Sequence, residues 1–186
     1  GVDAYGTVQA ALNAIAAGGE VRILDGTYDE DITIAKANLK VAGEPGLFPT
    51  LRGAVANGLA DTVFIGANGV VLEGLKVTRN ATPANWYTPD VNNQGLTVAQ
   101  GLTDTTIRNN IFTGNRNALN LNNTQGVKVL GNLITASPAG DGIPNLLALD
   151  AQVEIAGPTP RLLPIADFLT GYRATVNLAA LGYGIR

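Results

Sequence analysis

Two hydrophobic spacings divide this chain. Between Thr7 and Ala17, Val8, Ala11, Leu12 and Ile15 fall at i, i+3, i+4 and i+7, which places them on one face of a helix. Thr7 is set to accept at the N-cap, and Gly18-Gly19 end the run. From Glu20 the spacing drops to two. Glu20 to Leu24 predicts a strand, Asp25-Gly26-Thr27 a turn, and Asp31 to Ile34 and Leu39 to Val41 two more strands. Pro45-Gly46-Leu47-Phe48-Pro49 reads as a connecting loop.

Three later stretches repeat one pattern: an apolar residue, two spacers, Gly or Asn, then an apolar residue. They are Val71-Leu72-Glu73-Gly74-Leu75-Lys76-Val77, Ile107-Arg108-Asn109-Asn110-Ile111-Phe112-Thr113 and Val129-Leu130-Gly131-Asn132-Leu133-Ile134-Thr135. Asn110 and Asn132 lie 22 residues apart, and Gly74 to Asn110 is 36, or 22 plus the 14 of the odd segment 81–94. Strand-like alternation on such a repeat predicts a β-solenoid whose coils stack. Asn110 and Asn132 would then occupy equivalent turns, their amides bonding up the stack and to turn backbone.

The expected fold is therefore all-β: one right-handed parallel β-helix of about four to six coils, built as a single domain over 1–186. Residues 1–19 would form an amphipathic helical cap hiding the open end, whose strand edges would otherwise recruit another chain. Coils would fill 20–135 with an insertion at 81–94, and 136–186 would supply the last coils and an irregular C-terminal cap. Pro144, Pro158, Pro160 and Pro164 each remove a ladder donor there. Within it, 146–151 could be helical, Gln152 to Ile155 alternates like a strand, and Ile165 to Leu169 suggests a short helix.

The insertion holds the only Trp, Trp86, beside Tyr87, with Asp90 close by. Two readings stand. Neighbouring aromatics with Asn and Asp suit stacking on a sugar ring, and the same Trp86 could fold back as a lid over the lateral face. Trp86, Tyr87 and Asp90 are the candidate ligand-binding residues.

Composition narrows the chemistry. Apolar residues make up 46% but aromatics 5%, so the core is aliphatic, and 23 Gly point to many tight turns. Net charge is −3 with no Lys/Arg cluster, so no basic face offers itself to nucleic acid. No apolar run approaches a membrane span. The chain begins at Gly1, which suggests a processed or excised segment. Cys and His are absent, which removes disulfides, thiolate and HExxH metal sites, and His-activated nucleophiles. Asp29, Glu30 and Asp31 are consecutive and point to different sides, as a solvated rim or a support for the turn. Asp104 and Asp141 fall in turns, where Asp caps its own backbone. No carboxylate cluster with calcium-ligand spacing accompanies Arg108 or Arg116. Neither a cofactor nor a metal is expected.

The order from Thr7 through Gly43, including the turn Gly26-Thr27-Tyr28-Asp29-Glu30, resembles the N-terminal region of pectin-lyase-like right-handed parallel β-helix proteins, pectinesterases among them. The resemblance covers about residues 3 to 135 and gives Gly26 and Tyr28 a structural role in the turn, alongside Gly74, Asn110 and Asn132. It departs from the family's enzymes. Polygalacturonases need a Gly-His-Gly element, and the late Arg-Trp segment of pectinesterases has no counterpart. A second resemblance covers about residues 131 to 175. Gly131-Asn132, Ala136-Ser137-Pro138, Asp141, Pro144, Arg161, Pro164, Asp167-Phe168 and Gly171-Tyr172-Arg173 fall in the order of the FAD-binding medium subunit of xanthine-dehydrogenase-type molybdenum hydroxylases. That family sets the Gly-Asn and Ala-Ser-Pro stretches against the flavin. Residues 1 to 125 lack its glycine-rich flavin-phosphate loop.

The sequence leads to a non-catalytic extracellular or surface module, a rigid scaffold binding a glycan or a protein partner through one lateral face. Oligomers could form through the ends or that face. The alternatives are a pectin-lyase-like polysaccharide-active enzyme, lyase or esterase, and an engineered or fused chain.

Overall fold

The computed structural model describes residues 4–53, 61–79, 94–115, 117–121, 123–134, 146–147, 152–156 and 175–177. In chain order the elements begin α1 (Val8–Ala14), β1 (Glu20–Ile23), β2 (Thr27–Tyr28), β3 (Ile32–Ile34), β4 (Lys40–Gly43), β5 (Thr50–Arg52), β6 (Val63–Ile65), β7 (Val71–Glu73) and β8 (Lys76–Thr78). They continue as β9 (Gln94–Val98), β10 (Thr106–Arg108), β11 (Ile111–Phe112), β12 (Asn117–Asn120), β13 (Val127–Leu130), β14 (Leu133–Ile134), β15 (Leu146–Leu147), β16 (Gln152–Ala156) and β17 (Thr175–Asn177).

The strands build three parallel sheets. The first has seven strands in the order β1-β4-β7-β10-β13-β16-β17, the second five as β14-β11-β8-β5-β2, and the third five as β15-β12-β9-β6-β3. This corrects the expected architecture. The described residues form parallel sheets side by side, with one helix and no closed barrel, and not one β-helix solenoid of even repeat. Paired strands lie 20 residues apart from Glu20 to Lys40 but 35 from Val71 to Thr106, so no single period governs the stacking. The irregular C-terminal cap is also corrected: β16 and β17 extend the seven-stranded sheet. Leu146–Leu147 pairs with β12 as a strand, where the sequence suggested the start of a helix.

Alternation explains the elements. β1 and β3 bury every second residue, Val21 and Ile23, then Ile32 and Ile34. Register stacks these positions into aliphatic columns: Val21, Val41, Leu72, Ile107 and Val129 in the first sheet, and Ile32, Val63, Leu96 and Leu119 in the third. Each of these side chains is buried. Burying one such side chain stabilises by about 1.5–3 kcal/mol, which holds these short strands together.

The helix closes the N-terminal edge by hydrogen bonding as well as by packing Val8 and Leu12 into the core. Thr7 Oγ1 accepts from Ala10 N, and the Glu30 carboxylate accepts from Val8 N (2.8 Å) and Gln9 N (3.0 Å), where the helix dipole favours negative charge. Lys36 Nζ donates to Asn13 O and Ile15 O at the other end. Gln9 Oε1 accepts from Thr33 N (2.7 Å) and Gln9 Nε2 donates to Thr33 O (3.2 Å). One side chain thus pairs with the donor and the acceptor that Thr33 of edge strand β3 would otherwise present to another chain.

The turn between the first and second sheets is tied by asparagine. Gly74, Asn109 and Gly131 take positive φ (68°, 54° and 61°), and Leu75, Asn110 and Asn132 follow them. The register sets Asn110 level with Leu75, not with Gly74, so the sequence pattern was aligned one residue out. Asn110 Oδ1 accepts from Leu75 N (3.0 Å) and its Nδ2 donates to Leu72 O. Asn132 Oδ1 accepts from Asn110 N (2.9 Å) and Nδ2 (3.1 Å), and Asn132 Nδ2 donates to Ile107 O.

Candidate functional site

Two connections, 54–60 and 80–93, join the second sheet to the third at the same corner of the molecule. Arg79 stands at the root of the second. Its side chain has no exposed surface, and its Nη1 lies 3.2 Å from Asp31 Oδ1 and 3.4 Å from Thr62 Oγ1, joining three passes of the chain. Gly53 makes this possible. A Cβ there would stand 2.6 Å from Asp31 Oδ1 and 2.8 Å from Arg79 Nη1, inside contact distance of both.

Asp61 completes the corner. Partial burial pushes its carboxyl above the usual range, which outweighs the Thr97 hydroxyl, the Arg79 charge and the Gln94 backbone that favour ionisation; Asp31 adds a smaller upward push. Asp61 Oδ1 is shielded from solvent and makes no hydrogen bond.

Beside the corner runs the outer face of the third sheet. Register lines up Thr33, Phe64, Thr97 and Asn120 in one outward row. Phe64 is 36% exposed, and a Cβ at Gly66 would lie 3.3 Å from its Cε1, so the ring leans along its strand over a residue with no side chain. Thr97 and Asn120 follow Phe64 in that row, and their side-chain oxygens are shielded from solvent. An exposed aromatic ring beside neutral side chains can stack on a flat ring.

The first sheet's outer face differs. Glu20, Arg22, Lys40, Glu73 and Arg108 pair across it: Arg22–Glu20 2.7 Å, Lys40–Glu73 2.9 Å, Lys40–Glu20 3.7 Å and Arg108–Glu73 2.5 Å. Partial burial would raise the Glu73 carboxyl, but the bonds from Lys40 and Arg108 outweigh it and hold it below its ordinary value.

Trp86, Tyr87 and Asp90 lie outside the described residues, in the connection rooted at Arg79 and Gln94. Tyr28 OH donates to Leu24 O (3.1 Å), and Gly26 has a φ of 145°, where a Cβ would lie 3.7 Å from Tyr28 Cε2. The three consecutive acids serve three partners: Asp29 pairs with Arg52, Glu30 with the helix N-terminus and Asp31 with Arg79. The Arg52 hydrogen bond holds the Asp29 carboxyl low. Asp104 sits in a turn at positive φ and accepts from Thr103 Oγ1 (2.8 Å). The sequence reading missed Phe64, Thr97, Asn120 and the Asp61–Arg79 corner. The triplet Val63-Phe64-Ile65 did carry a signal, since alternation turns its middle residue outward.

Residues 127–181, under a third of the chain, match a family described as "FAD binding domain in molybdopterin dehydrogenase". The described part of that segment does not fit a flavin site, because the Asn132 amide is spent on Asn110 and Ile107 between passes. No curated protein matches the chain. Among solved structures, the chain is similar to a pectin methylesterase variant in complex with a hexasaccharide, at 18% identity and a TM-score of 0.49. That similarity covers 81% of this chain and 45% of the other, so the chain spans less than half that protein's length. Among the described residues no helix is long and apolar enough to cross a membrane, and no three acidic side chains gather as metal ligands.

Proposed function

We propose that this chain is a non-catalytic extracellular or surface module that binds a glycan on the outer face of its third sheet. One observation carries the reading: Phe64 is 36% exposed in an outward row of neutral residues, Thr33, Thr97 and Asn120, that register lines up on the third sheet. A sugar ring would stack on Phe64. Trp86, Tyr87 and Asp90 belong to the same proposal, because their connection leads into β9 of this sheet. Affinity electrophoresis through a panel of immobilised polysaccharides tests it. Retardation by at least one glycan that Phe64→Ala reduces about tenfold, worth about 1.4 kcal/mol, supports the proposal. Retardation unchanged by both Phe64→Ala and Trp86→Ala refutes it.

A polysaccharide-active enzyme is the second reading, and Asp61 favours it. A carboxyl raised by burial beside Asp31 and a buried Arg79 has the makings of a general acid. Turnover of pectin or alginate that disappears in Asp61→Asn would replace the binding-module reading.

A further inference from the structure

We propose that Asn68–Gly69 is a modification site: Asn68 deamidates through a succinimide when its turn opens, and the stacked passes of the chain hold that reaction off in the fold. The pair lies between β6 and β7, where the chain crosses from the third sheet to the first. Register sets a residue of positive φ at one level in successive passes: Gly18 (78°), Asn38 (58°), Gly69 (71°), Asp104 (60°) and Gly126 (63°). Of these, Gly69 alone follows an asparagine. Both residues of the pair have a structural reason to be there. Gly69 takes the positive φ, and Asn38 Oδ1 occupies the space a Cβ on residue 69 would need. Asn68 Oδ1 accepts from Thr103 N (2.9 Å).

The same two residues are chemically labile together. The Gly69 nitrogen, losing its proton to hydroxide, attacks Asn68 Cγ. A C–N bond forms, the Cγ–Nδ2 bond breaks and ammonia leaves. Water then opens the ring at either carbonyl, giving aspartate or isoaspartate. Residue 69 has no Cβ to hinder the attack, and Asn68 is exposed to hydroxide and water. In the fold, both reacting groups are engaged by one residue of the next pass. Gly69 N donates to Thr103 O (3.1 Å) while Asn68 Oδ1 accepts from Thr103 N, and Asn68 O accepts from Asn38 N (2.9 Å). The Thr103 N–H polarises the side-chain carbonyl and by itself favours attack. The nucleophile is the group withheld, because Gly69 N keeps its proton on Thr103 O and the three bonds fix the torsions that ring closure must turn. Reaction therefore passes through local opening. Isoaspartate routes the backbone through Cβ and Cγ, one CH2 longer, so the three bonds cannot all re-form. Aspartate keeps the acceptor for Thr103 N. One isoaspartate event thus leaves this turn open for good.

Peptide mapping by mass spectrometry tests this on the full chain, held in mildly alkaline buffer with and without denaturing guanidinium chloride. Conversion of Asn68 should be at least about tenfold slower in the fold, equivalent to an opening cost of about 1.4 kcal/mol or more. Below the unfolding midpoint it should rise with guanidinium in step with hydrogen exchange at the Gly69 amide. The isoaspartate product, returned to native buffer, should lose exchange protection at Gly69 and Thr103, whereas Asn68→Asp should keep it. Equal conversion with and without denaturant overturns the guard by the neighbouring passes. An Asn68 that stays amidated in denaturant overturns the site itself, and an isoaspartate product as protected as the parent chain overturns the lasting opening.

Discussion

The outer faces of the first and third sheets arise from the same alternation and end in opposite states. On the first, the outward residues include Glu20, Arg22, Lys40, Glu73 and Arg108, which pair with one another within β1 and between β1, β4, β7 and β10. On the third, the outward row Thr33, Phe64, Thr97 and Asn120 is neutral and holds an exposed Phe64. The first face spends its charged side chains on one another. The third leaves an aromatic ring open to solvent. That ring, and not a charge, is what the third face offers to a ligand.

The largest expected effect lies at the border of the open face. Arg79→Leu would take the guanidinium from the partly buried Asp31, and the expected cost is about 2–4 kcal/mol, below that of breaking a fully buried pair. Urea denaturation checks it, and a loss under about 1 kcal/mol would show that the corner does not depend on the pair. Asn110→Leu comes next. It strips an acceptor from Leu75 N and a donor from Leu72 O, with an expected cost of about 1–3 kcal/mol by the same assay. A neutral result would mean that the turns close without the amide stack.

Smaller effects separate the two faces by pH. Glu73 is held low in the fold, so the stability it contributes is present above its unfolded value of 4.5 and is lost as pH falls through the folded value. Glu73→Gln should therefore cost up to about 1 kcal/mol at neutral pH, and less in acid. Asp61 has the opposite sign. Its folded value is raised, so its contribution is greatest below 3.8 and is lost as pH rises through the folded value. Asp61→Asn should raise the thermal midpoint at neutral pH and flatten its dependence above pH 3.8. A midpoint lowered by Asp61→Asn would mean that the ionised carboxylate stabilises the corner.

Local elements were legible where side-chain period alone determines them. The helical face of Val8, Leu12 and Ile15 and the alternation of Glu20 to Ile23 and of Ile32 to Ile34 needed only neighbouring residues. Register was not legible. The apolar-x-x-Gly/Asn pattern tolerates a slip of one, and pairing of Val71 with Thr106 resolves it by putting Leu75, not Gly74, beside Asn110. The even solenoid failed because connections of unequal length stretch the step between paired strands from 20 to 35 residues. The candidate site was hidden for a different reason. Asp31 and Arg79 are 48 residues apart and meet only through three passes of the chain. Phe64 sits in an apolar triplet that reads as core until its neighbours are known to face inward.

Phe64→Ala tests the central claim most directly, because it removes the exposed ring of the third sheet's outward row and leaves the buried columns intact. The account predicts that stability to urea changes by less than about 0.5 kcal/mol, while retardation by an immobilised glycan falls about tenfold. A variant that is less stable and binds unchanged would contradict it, and the third sheet's face would then be a structural surface like the first.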